Sequence, residues 1–332
     1  MPFCTLLGNE MAKAALQRMA GQKTVPNTLL FAGPDGVGKS RFALALAAHL
    51  MGEAHQSKIL SGNHPDVHIY LPEGKGSLHP IESMRKLIDE VGMPPFEAPI
   101  KVFIIHDAHQ MLPASSNALL KTFEEPNLDS YIILLSDKPE LLLPTIVSRC
   151  RRIPFFPIAD ALISEYLVQQ QQKTSTEAER ISLLSHGSLG KALQLTTDLK
   201  SQKREVLIEL LNCDIQREYP RFLKLCAQLE ETLQSESEDK EESEEGGSSH
   251  KQVESLFEEI LAWYRDLHLI REGVHSASLY YRDHEEELKL SAHGKIPSME
   301  QMFEQIETCQ LALQRHSKLR VVLENLFLKV CV

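Results

Sequence analysis

The chain has 332 residues, 42% hydrophobic and only 6% aromatic, too long for one small domain and enough for two or three with buried cores. Lys and Arg number 35 against 46 Asp and Glu; of the formal charge of −11, residues 230–245, with nine acids and one Lys, carry −8 and the rest about −3. That balance excludes the basic stripe of a strong autonomous nucleic-acid binder, and no apolar run approaches the ~18 residues of a membrane span.

The start, Met1-Pro2-Phe3-Cys4, lacks the charged and apolar blocks of a signal peptide, so a soluble, cytoplasmic protein is expected. The six cysteines (Cys4, Cys150, Cys213, Cys226, Cys309, Cys331) are scattered with no CxxC pair. Reduced thiols are therefore expected, not a disulfide scaffold or a zinc site.

In chain order, Thr28–Ala32, Lys101–Ile105 and Tyr131–Leu135 are short apolar runs bounded by Pro, Asp or Gly, the mark of strands buried on both faces of a parallel sheet. Between them lie helix-period segments: Phe42–Met51 closed by Gly52, Pro80–Val91, and Ser116–Glu125 stopping at Pro126. Strands alternating with helices predict an α/β domain over residues 1–155, a parallel sheet with flanking helices. After Pro154 and Pro157 the strand signals end. Ile158–Gln172, Glu177–Ser185 and Lys191–Leu199 read as helices of a small domain over 156–202. From Lys203 the pattern stays helical, which predicts an all-α domain over 203–332. Its acidic segment near 230–250, with Ser235–Ser249 at the centre, is too polar to bury a core and is expected as a disordered loop. That acidic block could mimic nucleic acid; a solvated loop is the plainer reading.

Gly33-Pro34-Asp35-Gly36-Val37-Gly38-Lys39-Ser40 has the GxxxxGK[ST] spacing, follows an apolar strand and opens an amphipathic helix, the context a phosphate loop requires. Gly33, Gly36 and Gly38 let backbone N–H groups close around phosphate oxygens, and the helix N-terminus adds partial positive charge. Lys39 is expected to reach the β- and γ-phosphates of ATP, and the Ser40 hydroxyl to ligate Mg²⁺ carried by the nucleotide. Hydrolysis further needs a strand end with an Asp for the metal and a second carboxylate to orient water. Val102-Phe103-Ile104-Ile105-His106-Asp107-Ala108-His109 ends in Asp107 alone, so this hydrolytic site reads as degenerate.

Beyond these, Asn117-Ala118-Leu119-Leu120-Lys121-Thr122-Phe123-Glu124-Glu125-Pro126, Ser148-Arg149-Cys150, Asn63-His64-Pro65-Asp66-Val67, Gly187-Ser188-Leu189-Gly190 and the opening Leu7-Gly8-Asn9 resemble the ordered motifs of bacterial clamp-loader AAA+ subunits over roughly residues 1–200. The resemblance implies an AAA+ P-loop domain, a helical lid and an all-α collar-type domain. It also implies a place in a pentameric ring with gamma/tau and delta subunits, loading a sliding clamp on primer–template DNA. Three departures from the motor pattern point to a non-motor member that binds ATP or ADP but hydrolyses it poorly. The family's Walker B Asp falls on His106 and its catalytic Glu on Asp107; in the other register, Asp107 takes the magnesium role and Ala108 the catalytic place. The sensor-2 arginine is replaced by Gly190, with only Lys191 beside it. The family's zinc cysteines are absent from His55–Ser61, so no zinc is expected. An active gamma/tau-type motor is the alternative.

The same resemblance makes Arg149 an arginine finger offered in trans to a neighbour's γ-phosphate. Without it, a local carboxylate is an equally good partner. Ser136 falls at the family's sensor-1 position, where its hydroxyl could bond a phosphate or water, although a Ser closing a strand is as often a turn residue. His64, His68, His79, His106 and His109 show no tight helical pair with a third ligand in sequence, so no metal grouping is expected of them.

Overall fold

The structure, a computed structural model, describes residues 3, 5–73, 78–125, 129–198, 202–213, 215, 217–238, 248–273, 279–294, 296–314 and 317–330. The chain divides into two compact units, Met1–Thr196 and Thr197–Val332.

The first unit runs α1 (Glu10–Gly21), β1 (Thr28–Ala32), α2 (Lys39–Met51), α3 (Gln56–Leu60), β2 (Val67–Tyr70), α4 (Ile81–Val91), β3 (Lys101–Ile105), α5 (Pro113–Glu124), β4 (Ser130–Ser136), α6 (Pro144–Val147), β5 (Arg151–Pro154), α7 (Asp160–Gln171), α8 (Ser175–Ser185) and α9 (Leu189–Asp198). Its five strands are all parallel, in the order β2-β3-β4-β1-β5, the parallel sheet with flanking helices expected above.

Period-two alternation explains why the central strands are apolar throughout. Leu29 and Phe31 of β1, Val102 and Ile104 of β3, and Ile133 and Leu135 of β4 face one cluster with Phe42, Leu46 and Leu16. Leu30 and Ala32, Phe103 and Ile105, and Ile132 and Leu134 face the other, with Met84, Leu87, Leu119 and Phe123. Helices cover both faces, so both side-chain sets are buried. The edges differ. β2 reads Val67-His68-Ile69-Tyr70 with Ile69 exposed, and β5 reads Arg151-Arg152-Ile153-Pro154 with only Ile153 buried. Neither edge strand carries the apolar-run signal, and the sequence does not announce them.

The opening Leu7-Gly8-Asn9 ties the N-terminus to the segment after β5. Asn9 accepts from the Phe156 backbone N–H at 2.8 Å and donates to the Phe156 carbonyl at 3.1 Å. The Ile158 N–H donates to the Gly187 carbonyl at 2.8 Å. Gly187, at φ 80°, brings its backbone so close that a Cβ would lie 2.4 Å from Pro157.

The second unit is helical: α10 (Gln202–Leu211), α11 (Tyr219–Glu238), α12 (Ser248–Arg271), α13 (Glu285–Ala292), α14 (Met299–Gln314) and α15 (Leu319–Val330). α11 continues to Glu238 and α12 begins at Ser248, so both ends of the expected acidic loop are helical, as the helix propensity of Glu allows; residues 239–247 lie outside the described residues. A buried polar network braces this unit. Lys203 Nζ lies 3.2 Å from Glu259 Oε1, both side chains less than a tenth exposed. The Arg204 guanidinium sits 5.0 and 4.6 Å from the Tyr280 and Tyr281 ring centres, and Asp266 accepts from the Tyr281 N–H at 2.8 Å.

Cys150, Cys213, Cys226 and Cys309 form no disulfide; Cys4 and Cys331 lie outside the described residues. No helix among the described residues is long and apolar enough to cross a membrane.

Candidate functional site

The C-terminal ends of parallel strands are where α/β sheets bind ligands; the phosphate loop, Asp107 and Ser136 lie there, whereas Arg149 lies before the N-terminal end of β5. β1 ends at Ala32 and the phosphate loop follows. The Gly33 N–H donates to the Ser136 carbonyl at 3.1 Å, fastening the loop to the end of β4. Gly36 takes φ 71° and Gly38 takes φ 98°, left-handed values that glycine adopts without strain. Gly38 caps α2, a 13-residue helix whose start receives no side-chain cap, so its first N–H groups face outward for an anion. These residues fit a nucleotide phosphate: Gly36, Gly38, Lys39 and the backbone of the loop would hold it, and Ser40, second in α2, would reach its Mg²⁺. Lys39 is buried, and its ammonium donates to the Gly33 and Pro34 carbonyls, both at 2.7 Å.

The start of α9 packs on this loop. The Gly190 N–H donates to the Gly36 carbonyl at 2.9 Å. A Cβ on Gly190 would lie 3.0 Å from the Gly36 Cα, and one on Gly36 would lie 2.1 Å from Ser188 Oγ. A side chain at position 190 would thus crowd the phosphate loop unless that loop shifted by a few tenths of an ångström.

At the end of β3, the His106 N–H pairs with the Tyr70 carbonyl at 2.9 Å, and its own carbonyl accepts from His79 Nε2 at 2.6 Å. Burial holds the His79 pKa below the ordinary histidine value, against that hydrogen bond, so the ring stays neutral. Asp107 follows in a left-handed conformation, φ 44°, and starts the 3-10 turn Ala108–Gln110. Such a conformation in a non-glycine residue costs on the order of 1 kcal/mol and clusters at functional sites.

The structure adds two residues that the linear motifs do not join. His109 Nδ1 lies 3.2 Å from Asp137 Oδ1 and 3.3 Å from Ser136 Oγ. The ligand atoms of Asp107, His109 and Asp137 all fall within 4.8 Å of one another. Chain spacing hides this grouping because β3 and β4 are paired in parallel, Ile105 opposite Leu134. Residues just past each strand therefore meet, although 28 positions apart. The usable signal was an Asp directly after Ser136, the residue that closes β4.

A second grouping is His55, His64 and Glu97. Here the Asp66 N–H donates to His64 Nδ1 at 3.1 Å. The His64 proton is therefore on Nε2, 2.8 Å from His55 Nδ1 and 3.3 Å from Glu97. Burial and the nearby His55 lower the His64 pKa, which keeps that neutral tautomer. The set is a hydrogen-bonded brace, since a metal on Nε2 would have to expel the proton that holds it together. Asp66 completes it, its carboxylate accepting N–H groups from Phe96, Glu97 and Ala98 at 2.6, 2.8 and 2.8 Å. Burial alone would raise its pKa; the three N–H donors outweigh that and lower it.

Arg149 follows α6 and is one-third exposed. Its guanidinium donates to Glu124 and, at 2.9 Å, to the Thr145 carbonyl. The neighbouring Cys150 thiol is pushed up to about 12 by burial and is no nucleophile at neutral pH.

Residues 8–159 match the family described as "DNA polymerase III, delta subunit". The chain is 33% identical over 205 residues to the DNA polymerase III subunit delta′ of Bacillus subtilis, covering 58% of this chain and 61% of that one. With the delta′ subunit of Pseudomonas aeruginosa it shares 30% over 210 residues, 59% and 64% of the two chains. With the tau subunit of Bacillus subtilis it shares 28% over 221 residues, 62% and 39%. The matched part thus spans less than two thirds of each relative's length. By sequence, the N-terminal part of this chain is similar to the delta′ and tau subunits of DNA polymerase III.

Proposed function

We propose that this protein is a non-motor subunit of a DNA polymerase III clamp loader, helping gamma/tau and delta subunits in a pentameric ring to load the sliding clamp on primed DNA. The single observation that carries the reading is an intact phosphate loop beside a β3 end where His106 and Asp107 stand in place of the acidic pair. Imidazole is a poor Mg²⁺ ligand, and Asp107 is one methylene short of the glutamate that positions water.

The nucleotide, ATP or ADP, would be held by the loop of Gly33, Gly36, Gly38, Lys39 and Ser40, with Ser136 at its γ-phosphate end. When bound, it supplies charge and an interface element for ring assembly. The chain's own residues bind and orient it and do little to break it. Lys39 must leave the Gly33 and Pro34 carbonyls to reach a phosphate, and the lid contact of Gly190 on Gly36 must tolerate the occupant. Arg149 is the group offered outward: it would exchange Glu124 for a phosphate held by the adjacent ATPase. The helices α10–α15 would form the collar. This assignment divides the chain into an AAA+ domain over 1–155, a lid over 156–202 and a collar over 203–332.

One observation favours the alternative of an active gamma/tau-type motor: the Asp137 carboxylate lies beside Asp107. The deciding experiment is co-purification with candidate gamma/tau and delta subunits, followed by ATPase assays of chain and ring. Failure to enter a ring with those partners refutes the assignment, and a fast ATPase in the isolated chain refutes the non-motor part of it.

A further inference from the structure

We propose that the helical unit carries a carboxylate-binding site centred on the Arg204 guanidinium, and that its ligand is an acidic side chain of a partner protein. The inference uses residues of the second unit alone and stands independently of the clamp-loader reading.

The argument starts from a buried cation without a counter-charge. Arg204, third in α10, is only 5% exposed. A guanidinium keeps its charge at every pH where a protein folds, and buried charges are ordinarily paired. Its neighbours obey that rule: Lys203 has Glu259, and Arg265 Nη2 lies 3.0 Å from Asp266 Oδ1. Among the described residues, Arg204 has no such partner, and two aromatic rings hold it instead. Its central carbon lies 5.0 and 4.6 Å from the Tyr280 and Tyr281 ring centres. Ring faces attract the cation, but they leave the fork of five N–H donors without a carboxylate.

The corner that holds Arg204 is built. The two tyrosine rings lie 4.8 Å apart at 62°. Tyr281 is fully buried and tied at both ends: its N–H donates to Asp266 at 2.8 Å and its hydroxyl to the Glu259 carbonyl at 3.2 Å. Its ring packs edge-on against Trp263 at 5.1 Å. The guanidinium is therefore positioned before any ligand arrives, which lowers the entropy cost of binding.

The local charges name the ligand. Lys203, Arg204 and Arg265 face Glu259 and Asp266, one positive charge in excess, which a monoanion neutralises. A phosphate dianion would bring a second negative charge beside two carboxylates. A planar carboxylate also matches the guanidinium fork with two parallel hydrogen bonds. Aromatic walls and a narrow opening admit the tip of one side chain, whereas nucleic-acid backbones need exposed basic stripes. Arg and Tyr together are typical anchors of protein–protein interfaces.

Trp263, the single tryptophan of the chain, touches Tyr281 and so reports on the site. The full chain is titrated near neutral pH with sodium acetate, a polyglutamate peptide and sodium phosphate, each against chloride at constant ionic strength, following Trp263 emission. The expected result is a saturable change with acetate and with the peptide, and a weaker response to phosphate. Arg204→Lys, which keeps the cation but loses the planar fork, should weaken acetate binding about tenfold or more. Arg204→Gln should abolish it, and Arg271→Gln, at the end of α12, should leave it unchanged. No saturable change with acetate, or a change that survives Arg204→Lys undiminished in a folded chain, overturns the site. Saturation by acetate without binding of the peptide overturns the partner side chain as ligand, and tighter binding of phosphate overturns the carboxylate.

Discussion

The backbone N–H of Gly190 donates to the carbonyl oxygen of Gly36 at 2.9 Å, so the first turn of α9 rests on the phosphate loop with no side chain between them. A Cβ on Gly190 would sit tightly, 3.0 Å from the Gly36 Cα, and one on Gly36, already at φ 71°, would lie 2.1 Å from Ser188 Oγ and push it aside. Restoring an arginine by Gly190→Arg should therefore fail to create an active sensor. It should destabilise the first unit by about 1–3 kcal/mol through overpacking, seen as a lower denaturant midpoint, and leave ATPase turnover no higher. A folded Gly190→Arg variant with increased turnover contradicts this.

Arg149 and Glu124 form a half-exposed ion pair, and such pairs stabilise by only ~0–1 kcal/mol. Arg149→Ala should leave the melting behaviour and ring assembly of the chain nearly unchanged. Turnover by the complete loader should fall by on the order of 10³-fold if the residue is the trans finger. Glu124→Gln, which loosens the local grip, should leave loader turnover intact or raise it. A drop in assembly with Arg149→Ala would return the residue to a purely structural role.

Buried His64 and His79 both have pKa values held below the ordinary value of 6.5, chiefly by desolvation. The unfolded chain then binds more protons than the folded one between the two values. Stability must fall as pH drops below about 6.5. Asp66 acts lower on the scale: its carboxyl is depressed by three N–H donors, so its contribution is present above about pH 4 and lost as pH falls further. Denaturant midpoints measured from pH 8 to 3 should show both losses. His64→Gln should flatten the first, and Asp66→Asn should cost about 3 kcal/mol at pH 7 through loss of hydrogen bonds to a charged group.

In the second unit, Lys203 and Glu259 are a buried pair at 3.2 Å. Removing one partner strands the other charge, so Lys203→Met should destabilise by roughly 3–5 kcal/mol. The double change Lys203→Met with Glu259→Leu should recover much of that loss. Equal losses in the single and double variants would show that the pair contributes through packing alone.

The central strands β1, β3 and β4 were legible because burial on both faces makes them uniformly apolar, and the phosphate loop because its glycines and Lys39 must be contiguous. β2 and β5 were not: His68, Tyr70, Arg151 and Arg152 tolerate water at the sheet edges, and no periodicity marks them. Contacts closed by tertiary structure were equally silent. Arg149 meets Glu124 across 25 positions, and His109 meets Asp137 only because two parallel strands end side by side. The spacing of the five histidines gave no grouping, whereas the fold sets Asp107, His109 and Asp137 within 4.8 Å of one another. Gly190 was legible as a departure from a pattern, but its backbone bond to Gly36 is a property of three dimensions.

The central claim is a phosphate loop that grips a nucleotide beside a strand end unable to break it. The most direct measurement is steady-state ATPase of the isolated chain, with Mg²⁺ and separately with Mn²⁺, against the reconstituted loader on primed DNA with clamp. Negligible turnover by the chain alone with either ion, and full turnover only in the complete ring, are expected. Turnover by the isolated chain comparable to the ring, abolished by Asp107→Asn or Asp137→Asn, would contradict it and make the protein a motor.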